Sequence, residues 1–305
     1  MVEPRVVEPV ETRPVETPRP VEPRVVEPVE TRPVETPRLV ALDIDGTLFV
    51  NSPETGLVEE RISPAVVASV HRAYAAGAHV VLATGRSTFG FLHVWDMLGL
   101  PPDGATVLSV ASNGSVVFRY PPVEVVSTVT FDASEVVRAL LEHVPEAAVA
   151  VEEVGVGYRL NRPFPEGEIN GRMTLQSVDE LVAEPVTRVI IRDPHSSEED
   201  FVELAEKLGL HGTNYFIGWT AWLDIAPEGV TKASALAEVA ESLGVARSEV
   251  LAIGDGRNDV EMLRWAGRGV AMGQAPVEVQ DAADDVTETV RNDGVALELA
   301  RWFPA

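Results

Sequence analysis

Four groups of polar residues stand at or near the ends of apolar segments in this sequence, and their chemistry is complementary. They supply four carboxylates, one hydroxyl, one amide and one ammonium, from Asp43, Asp45, Thr84, Lys232, Asp255, Asn258 and Asp259. Carboxylate oxygens bind Mg²⁺, which also keeps waters and substrate phosphate as ligands. A lysine offsets the charge of a phosphate. This set of groups predicts phosphoryl chemistry supported by Mg²⁺.

The first group follows the apolar run Leu39–Leu42, which has the length of a buried strand. Asp43 and Asp45 are two residues apart, so an extended chain presents both on one face, and Gly46 then breaks the strand. Asp43 can attack phosphorus, which divides hydrolysis into the formation and the hydrolysis of an aspartyl-phosphate. Asp45 can protonate the leaving oxygen and later activate water.

The other three groups supply the remaining parts of such a site. Thr84 ends a second apolar run and can hydrogen-bond a phosphoryl oxygen. Lys232 stands near the start of an expected helix and is one of only two lysines in a chain with 22 arginines. Asp255 and Asp259 are four residues apart, so both can face a metal, and Asn258 between them can reach the phosphate.

Each group has an ordinary structural explanation when it stands alone. Asp-Gly is a common turn signal, the carboxylates of Asp255 and Asp259 could cap a helix, and a lone lysine is usually a solvated surface charge. The prediction rests on the occurrence of all four groups at the tips of expected strands. Because the carboxyl ends of parallel strands converge at one edge of a sheet, we expect these side chains to meet.

Alternating strand and helix signals between these groups predict an α/β fold with a Rossmann-like parallel sheet. A helix is expected at Ser63–Pro64, where the serine can cap the first turn and the proline fits its first position. Further strands are expected at residues 79–84, 106–112, 250–253 and 269–272, and further helices at about 87–98, 231–243, 260–266 and 295–302. The strand at 223–225 is expected to return the chain to this sheet.

The region between these two parts of the expected sheet has a different pattern of apolar and polar residues. Its strands are more amphipathic, at Val123–Phe131, Ala148–Leu160 and Val186–Arg192, and its helices are expected at Ser134–Val144 and Glu198–Leu208. We therefore predict a core formed by residues 39–120 and 223–305, with a separate α+β domain inserted at residues 121–222. Trp219 and Trp222, at the end of the insert, are interpreted as packing residues.

The N-terminal segment, residues 1–38, repeats a sequence rich in Pro, Glu and Val with a period of 19 residues. It has prolines every few positions and neither helical nor strand periodicity, so we expect it to be disordered and extended. Two hypotheses remain for it, a proline-rich docking tail or an extension without function.

Composition narrows the classes of partner. The chain has 305 residues and a net charge of −24, with a pI near 4.6. This charge argues against a nucleic acid or an anionic membrane surface as partner, since both require clustered cations. There is no cysteine, and no apolar run approaches the ~18 residues of a membrane-spanning helix. We expect a cytoplasmic protein that acts on a small phosphorylated metabolite.

Longer motifs around these groups resemble a known family. The matching segments are Leu42–Leu48, Ala83–Arg86, Ser112–Gly114, Gly229–Lys232, Ile253–Leu263, Gly269–Gly273 and Asn292–Ala296. They resemble the motifs of the haloacid dehalogenase superfamily, and most closely those of the Cof-type phosphatases, which carry a large α/β cap. The resemblance extends from Leu39 to the C-terminus and excludes the repeat.

The resemblance implies a role for each matching residue. Asp43 is implied as nucleophile and Mg²⁺ ligand, and Asp45 as acid and base that binds the metal through its carbonyl. Phosphate-binding roles are implied for Thr84, Gly85, Lys232 and Asn258. Asp255 is implied as a Mg²⁺ ligand, and Asp259 as the residue that supports the metal ligands. The inserted domain is implied to be a mobile cap that closes over the site.

Three other functions are considered. A phosphotransferase or phosphomutase would use the same aspartyl-phosphate, and the sequence hardly distinguishes it from a phosphatase. In a signalling receiver domain the acidic pair precedes the phosphorylated aspartate, whereas here Asp43 comes first and Asp255 and Asp259 come last. A glycosyltransferase with an Asp-x-Asp metal site would leave Lys232 and the later carboxylates without a purpose.

Overall fold

The computed structural model of the protein describes residues 36–51, 58–193, 196–197, 200, 203, 213–217 and 222–305. Most of the N-terminal repeat and of the helix expected at Glu198–Leu208 lies outside these residues, and so does Trp219. Among the residues that the structure describes, every helix is too short or too polar to traverse a lipid bilayer.

An eight-stranded sheet contains the segment that leads to Asp43. Its strands are β1 (Leu39–Leu42), β4 (His79–Ala83), β5 (Val107–Ala111), β6 (Val116–Tyr120), β7 (Glu124–Thr128), β14 (Val250–Gly254), β15 (Arg268–Ala271) and β16 (Asp285–Val286). Their order is β16-β15-β14-β1-β4-β5-β6-β7. The strands from β16 to β5 are parallel, whereas β6 and β7 join antiparallel. β1 therefore lies between β14 and β4, and the carboxyl ends of all three open at the same edge.

A second sheet has six strands. They are β8 (Ala148–Glu153), β9 (Gly157–Leu160), β10 (Arg172–Leu175), β11 (Val189–Arg192), β12 (Thr213–Ile217) and β13 (Trp222–Pro227), in the order β10-β9-β8-β11-β13-β12. β9 and β10 are parallel, and the other pairs are antiparallel. A separate two-stranded pair, β2 (Val50–Asn51) and β3 (Val58–Glu59), follows the segment that contains Asp43 and Asp45.

Among the residues that the structure describes, eight helices with defined bounds cover both faces of the first sheet and one face of the second. They are α1 (Pro64–Ala75), α2 (Leu92–Leu98), α3 (Ser134–His143), α4 (Val178–Leu181), α5 (Lys232–Ser242), α6 (Val260–Trp265), α7 (Val277–Gln280) and α8 (Gly294–Ala300). Short 3₁₀ turns lie at Phe89–Phe91, Ser112–Gly114, Arg247–Glu249, Arg257–Asp259 and Val290–Asn292.

Alternation along the buried strands explains the three-layered core. Val40 and Leu42 of β1 pack in one apolar cluster with α1, α2 and α8, whereas Leu39 and Ala41 pack in the opposite cluster with α5, α6 and α7. Successive side chains of a strand point to opposite faces, and a strand covered on both faces is apolar throughout. The second sheet packs one face against α3 and α4.

Local signals were sound guides to the elements. Ser63 caps α1 by accepting a hydrogen bond from the Val66 amide, and Pro64 is the first helical residue, as expected. The strand expected at Ala148–Leu160 is instead the hairpin of β8 and β9. The chain turns where Val156 N donates to the Glu153 carbonyl and Gly155 adopts a φ of +74°.

Sheet membership differs from the expected division at both ends of the insert. β7 lies beyond residue 120 but pairs with β6 in the first sheet. β13, which was expected to return the chain to the first sheet, pairs with β11 and β12 in the second. An apolar strand carries no local mark of the sheet it joins, since pairing is decided by residues distant in sequence. The division into a catalytic core and a cap remains a prediction.

Candidate active site

Lys232 is the buried cation of the site. It is the first residue of α5, whose start is fixed because Thr231 accepts from Ser234 N at 3.2 Å and donates its own N–H to Ser234 Oγ at 3.0 Å. Only 1% of Lys232 is exposed. Its Nζ lies 2.6 Å from Asp43 Oδ1 and 2.6 Å from Asp259 Oδ1. The helix start therefore delivers one ammonium between two carboxylates.

Burial and mutual repulsion perturb the ionisation of these groups. Burial, together with the charges of Asp259 and Asp45, raises the pKa of Asp43 to about 7, although Lys232 opposes the shift. Burial lowers the pKa of Lys232, but Asp259 and Asp43 outweigh it, and the net shift is upward. The lysine therefore stays charged. Its single positive charge does not balance the negative charges of the carboxylates around it.

Asp259 organises the loop that follows β14. Its Oδ2 accepts hydrogen bonds from the backbone N–H groups of Asp255 at 3.0 Å and Gly256 at 2.9 Å, while its Oδ1 binds Lys232. The carboxylate crowds Gly254, because a Cβ on that residue would lie 2.5 Å from Asp259 Cγ. Asp259 thus fixes the backbone from which Asp255 projects.

Asp255 lies directly against the loop that carries Asp43. A Cβ on Gly46 would lie 1.9 Å from Asp255 Oδ2, and Gly46 has a φ of +82°. Gln274 clamps the same place, because its Nε2 donates to the Gly46 carbonyl at 2.6 Å and to Asp255 Oδ2 at 3.3 Å. Burial, with the charges of Asp43 and Asp259, raises the pKa of Asp255 to about 8.

The three carboxylates fit a divalent cation. Asp43, Asp255 and Asp259 each offer an oxygen, and these oxygens lie within 4.8 Å of one another. Hard oxygen donors of this kind suit Mg²⁺. Burial, followed by repulsion between the carboxylates, raises the pKa values of Asp43 and Asp255, and a bound cation would lower both. Gly46 leaves the space that the Asp255 carboxylate occupies.

Asp45 is held apart from this cluster by an arginine. Arg86 Nε lies 2.8 Å from Asp45 Oδ2 and Arg86 Nη2 lies 2.7 Å from Asp45 Oδ1, a bidentate pair. The same guanidinium donates to Glu60 Oε1 at 2.7 Å and lies 5.3 Å from the ring centroid of Phe49. Side-chain exposure is 32% for Asp45 and 18% for Arg86. The Asp45 carboxylate is therefore oriented and reachable from solvent.

The expected phosphate-binding residues lie at the same edge of the sheet. Thr84 follows β4, is buried, and accepts from the Arg86 N–H at 3.1 Å, which closes the turn. A Cβ on Gly85 would lie 3.0 Å from Asn113 Oδ1. Asn258 Nδ2 donates to the same oxygen at 2.9 Å. Asn113 thus lies between the group that contains Thr84 and the group that contains Asn258.

A buried polar cluster from the second sheet meets this edge. Arg188 forms an ion pair with Asp224 at 2.7 Å and donates to the Tyr158 hydroxyl at 3.5 Å. Glu152 Oε1 accepts from the Thr88 N–H at 3.1 Å, and Glu152 also accepts from the Ser112 hydroxyl. Burial raises the pKa of Glu152 above its usual value, with Arg188 opposing.

Sequence reasoning missed the residues that hold the reactive groups in place. Arg86 and Asn113 lie inside recognised motifs but were given no role, and Gln274 follows the last glycine of another. Asp224 lies in an expected strand and has no role predicted from the sequence. The Arg86 position after Thr-Gly could have drawn attention, because arginine pairs bidentately with carboxylates. The Gln274 and Asp224 contacts leave no signal in the local sequence.

A family model for haloacid dehalogenase-like hydrolases matches residues 40–299. The phosphoglycolate phosphatase of Natronomonas pharaonis is 34% identical over 265 residues, which cover 86% of this chain and 97% of that protein. The 5-amino-6-(5-phospho-D-ribitylamino)uracil phosphatase of Bacillus subtilis is 29% identical over 284 residues, which cover 87% of this chain and 97% of that protein.

A solved structure has the same fold. BT1666 from Bacteroides thetaiotaomicron, described among phosphatases of the same superfamily, superposes with a TM-score of 0.70 and 28% sequence identity. The match covers 91% of this chain and 99% of that one. Both relatives and this structure are therefore similar over nearly their whole lengths.

Proposed function

We propose that this chain, which belongs to the haloacid dehalogenase-like hydrolase family, transfers a phosphoryl group to Asp43 before releasing it to water. The chain is of the Cof type and is a hydrolase of phosphate monoesters. The observation that supports this most directly is the buried contact of Lys232 with Asp43 and Asp259 beside Asp255. It orients one carboxylate at the edge where the expected phosphate-binding residues gather.

Asp43 is the proposed nucleophile. Its Oδ1 is held by Lys232, and its burial leaves the carboxylate poorly solvated, which favours attack on an electrophile. One Asp43 oxygen bonds to phosphorus as the bond from phosphorus to the leaving oxygen breaks. Asp45 supplies the proton that the leaving alcohol takes up.

The second half of the reaction regenerates the enzyme. A water gives a proton to Asp45 and attacks the aspartyl-phosphate, so that inorganic phosphate leaves and the Asp43 carboxylate is restored. Asp45 must exchange part of its bidentate pairing with Arg86 for the leaving oxygen or the water. Arg86 remains close enough to keep the Asp45 carboxylate in position during both transfers.

The remaining residues bind and neutralise the phosphate. Thr84, Gly85, Asn258 and Lys232 are proposed to surround its oxygens. Mg²⁺, held by Asp43, Asp255 and the Asp45 carbonyl with Asp259 in support, would offset the charge of the phosphate and of the carboxylates. This arrangement provides the cationic charge that the lysine alone does not supply.

We propose a small phosphorylated metabolite as substrate, with sugar phosphates the first choice. Two relatives of similar identity carry the names of phosphatases for different small phosphates, so identity at this level does not select one substrate. The strongly acidic composition argues against nucleic acids and anionic membranes as partners. The six-stranded sheet is proposed to be the cap that encloses the substrate.

The decisive experiment is phosphate release from a panel of phosphorylated sugars and other small metabolites, with and without EDTA. Release that EDTA abolishes and added Mg²⁺ restores is expected for at least one member. A panel without any hydrolysis, or hydrolysis unaffected by EDTA, would contradict the proposal. Transfer of labelled phosphate to a sugar acceptor in preference to water would favour the phosphotransferase alternative.

A further inference from the structure

Asn113 occupies a fixed and strained position between the two sheets. It is 3% exposed and has a φ of +53°, and its neighbour Ser112 also has a positive φ of +51°. Gly114 allows the turn to pack closely against the start of α5, because a Cβ on this residue would lie 2.2 Å from the Thr231 carbonyl oxygen. A backbone held in this way at a non-glycine residue is found where the surrounding structure requires it, often at functional sites.

The side chain of Asn113 links a residue of the second sheet to a residue of the loop that follows β14. Its Nδ2 donates to Asp224 Oδ2 at 3.2 Å, and its Oδ1 accepts from Asn258 Nδ2 at 2.9 Å. Asp224 is held in turn by Arg188, whose Nε lies 2.8 Å from Asp224 Oδ1. The chain of contacts therefore runs from Arg188 through Asp224 and Asn113 to Asn258.

The chemistry of the partners fixes the direction of each bond. A carboxylate only accepts hydrogen bonds, so Asp224 selects the amide nitrogen of Asn113 and turns the amide oxygen toward Asn258. That oxygen in turn selects the amide nitrogen of Asn258. An amide nitrogen carries two hydrogens, and the bond to Asn113 uses one and orients the other.

We propose that Asn113 is a positioning residue that couples the docked second sheet to the phosphate-binding orientation of Asn258. The inference rests on the proposed function, because it takes Asn258 to bind phosphate. When Asp224 lies against the site edge, Asn113 is held in one orientation, and Asn113 in turn orients Asn258 toward the phosphate. When the second sheet withdraws, Asn113 loses its acceptor and its amide can rotate, so Asn258 loses its alignment.

Other contacts between the sheets do not explain this link. Glu152 already joins the second sheet to Thr88 and Ser112, and those bonds hold the two sheets together without involving Asn258. Asn113 extends these contacts to Asn258, in the loop proposed to bind phosphate. A role in cohesion alone predicts lost stability, whereas a positioning role predicts that Asn113 and Asn258 act as a unit.

The first experiment is a double-mutant cycle of Asn113→Gly and Asn258→Ala. Glycine tolerates the positive φ, so this substitution removes the side chain and keeps the turn. The readouts are kcat/KM for p-nitrophenyl phosphate and the Kd of inorganic phosphate in the presence of Mg²⁺. Each single variant is expected to lose about 10-fold in both, which corresponds to one lost hydrogen bond. The double variant is expected to fall no more than about 2-fold below the weaker single variant.

The matched control cycle replaces Asn113→Gly by Ser112→Ala. Ser112 is the adjacent residue of the same turn and contacts the second sheet through Glu152. Its effect is expected to multiply with that of Asn258→Ala, because it loosens the contact between the sheets without touching Asn258. Multiplicative losses in the Asn113 cycle as well would overturn the proposal.

A reversal of the hydrogen bond tests the link to the second sheet. Asn113→Asp places two carboxylates against each other and is expected to weaken phosphate binding by about 10-fold. Combining it with Asp224→Asn removes the repulsion between the two carboxylates and is expected to recover at least about 2-fold of that loss. Full recovery is not expected, because Arg188 Nη2 also donates to Asp224 Oδ2, the atom that faces Asn113. If thermal melting shows that the single and double variants are folded and the double variant does not recover phosphate binding, the coupling is refuted. Phosphate binding reports on Asn113 even if no monoester is turned over, so a failure of the proposed function is recognised separately.

Discussion

One ammonium bridging two carboxylates is the central contact of the site at the scale of residues. Lys232 is fully buried between Asp43 and Asp259, where a compact charge with rotatable donors can reach both. An arginine, whose donors lie in a planar fork, would not reproduce this bridge. Removing one partner of a buried charge group leaves the others uncompensated, so each of the three is constrained by its neighbours.

Asp43→Asn is expected to reduce turnover by at least about 1000-fold, because an amide cannot form the covalent intermediate. The folded protein is expected to be no less stable at pH 8 without metal, since the substitution removes a repelled charge while its Oδ1 can still accept from Lys232. Phosphate release and thermal melting measure the two effects. Asp103→Asn, at an exposed aspartate, is the matched control. Full activity in the Asp43 variant would refute the nucleophile assignment.

Arg86→Lys is expected to lower kcat by about 10-fold and to change KM little. Lysine keeps the positive charge but cannot hold both oxygens of Asp45 as the guanidinium does. Steady-state kinetics on the best substrate of the panel measure the effect. The same exchange at Arg119, which pairs with Glu124 at the surface, is expected to leave kcat unchanged. Equal kcat in both variants would mean that the orientation of Asp45 does not matter.

At the scale of elements, short loops after neighbouring strands bring the predicted site residues together. β1, β4 and β14 are adjacent and parallel, so the loops that follow them emerge side by side. Each loop is closed by its own polar contacts, through Asp259 after β14 and Thr84 after β4. Gly46 allows the first loop to approach the third, because it leaves room for the Asp255 carboxylate.

Gly46→Ala is expected to displace Asp255 and to weaken Mg²⁺ binding by more than about 10-fold. The new Cβ would lie 1.9 Å from Asp255 Oδ2 in the present structure. Gly77→Ala is the matched control, because Gly77 also has a positive φ, +89°, with nothing within 4 Å of the added Cβ. Both variants lose about 1–2 kcal/mol of unfolding free energy from the backbone conformation. Metal titration of the two separates them, and unchanged Mg²⁺ affinity in the Gly46 variant would argue against Asp255 as a ligand.

Two sheets contribute to one buried polar region at the scale of the whole molecule. Arg188, Asp224 and Glu152 come from the second sheet, and Ser112 and Asn113 come from the first. Glu152 and Asp224 accept hydrogen bonds across the boundary, from Ser112 and Asn113, whereas Arg188 pairs with Asp224 within the second sheet. Buried polar groups require such partners. A displacement of the second sheet would break these hydrogen bonds between the sheets and bring Glu152 and Asp224 into contact with water.

The stability of the metal-free protein is expected to fall as the pH rises from about 4 to about 8. A carboxyl group whose pKa is higher in the folded than in the unfolded protein binds more protons when folded, so rising pH favours unfolding between the two values. For Asp43 that interval runs from 3.8 to about 7, and for Asp255 from 3.8 to about 8.

Mg²⁺ is expected to oppose this loss, so it should raise the melting temperature more at about pH 8 than at about pH 5. Thermal melting with Mg²⁺ or EDTA at the two pH values measures the difference. Asp43→Asn is the matched control, in which the pH dependence without metal is expected to be shallower. An equal Mg²⁺ effect at both pH values would contradict a site built on these carboxylates.

Much of the fold and the types of the site residues follow from local sequence. Strands of buried type, the cap at Ser63 and the helix start at Lys232 are set by periodicity and by contacts within a few residues, and the structure has them where the sequence indicates. The four polar groups follow strands of one sheet or begin its helices, so their convergence could be deduced from the rule for parallel strands.

Tertiary structure alone decided what holds those groups. Asp45 meets Arg86 across 41 positions, Asn113 meets Asp224 across 111, and Gln274 meets Gly46 across 228. The same applies to β7 and β13, which joined other sheets than expected. Such contacts depend on how distant segments pack, and a single sequence records no periodicity or spacing for them. The residue types of the four polar groups thus predicted the chemistry, and the packed molecule determined which neighbours orient each carboxylate.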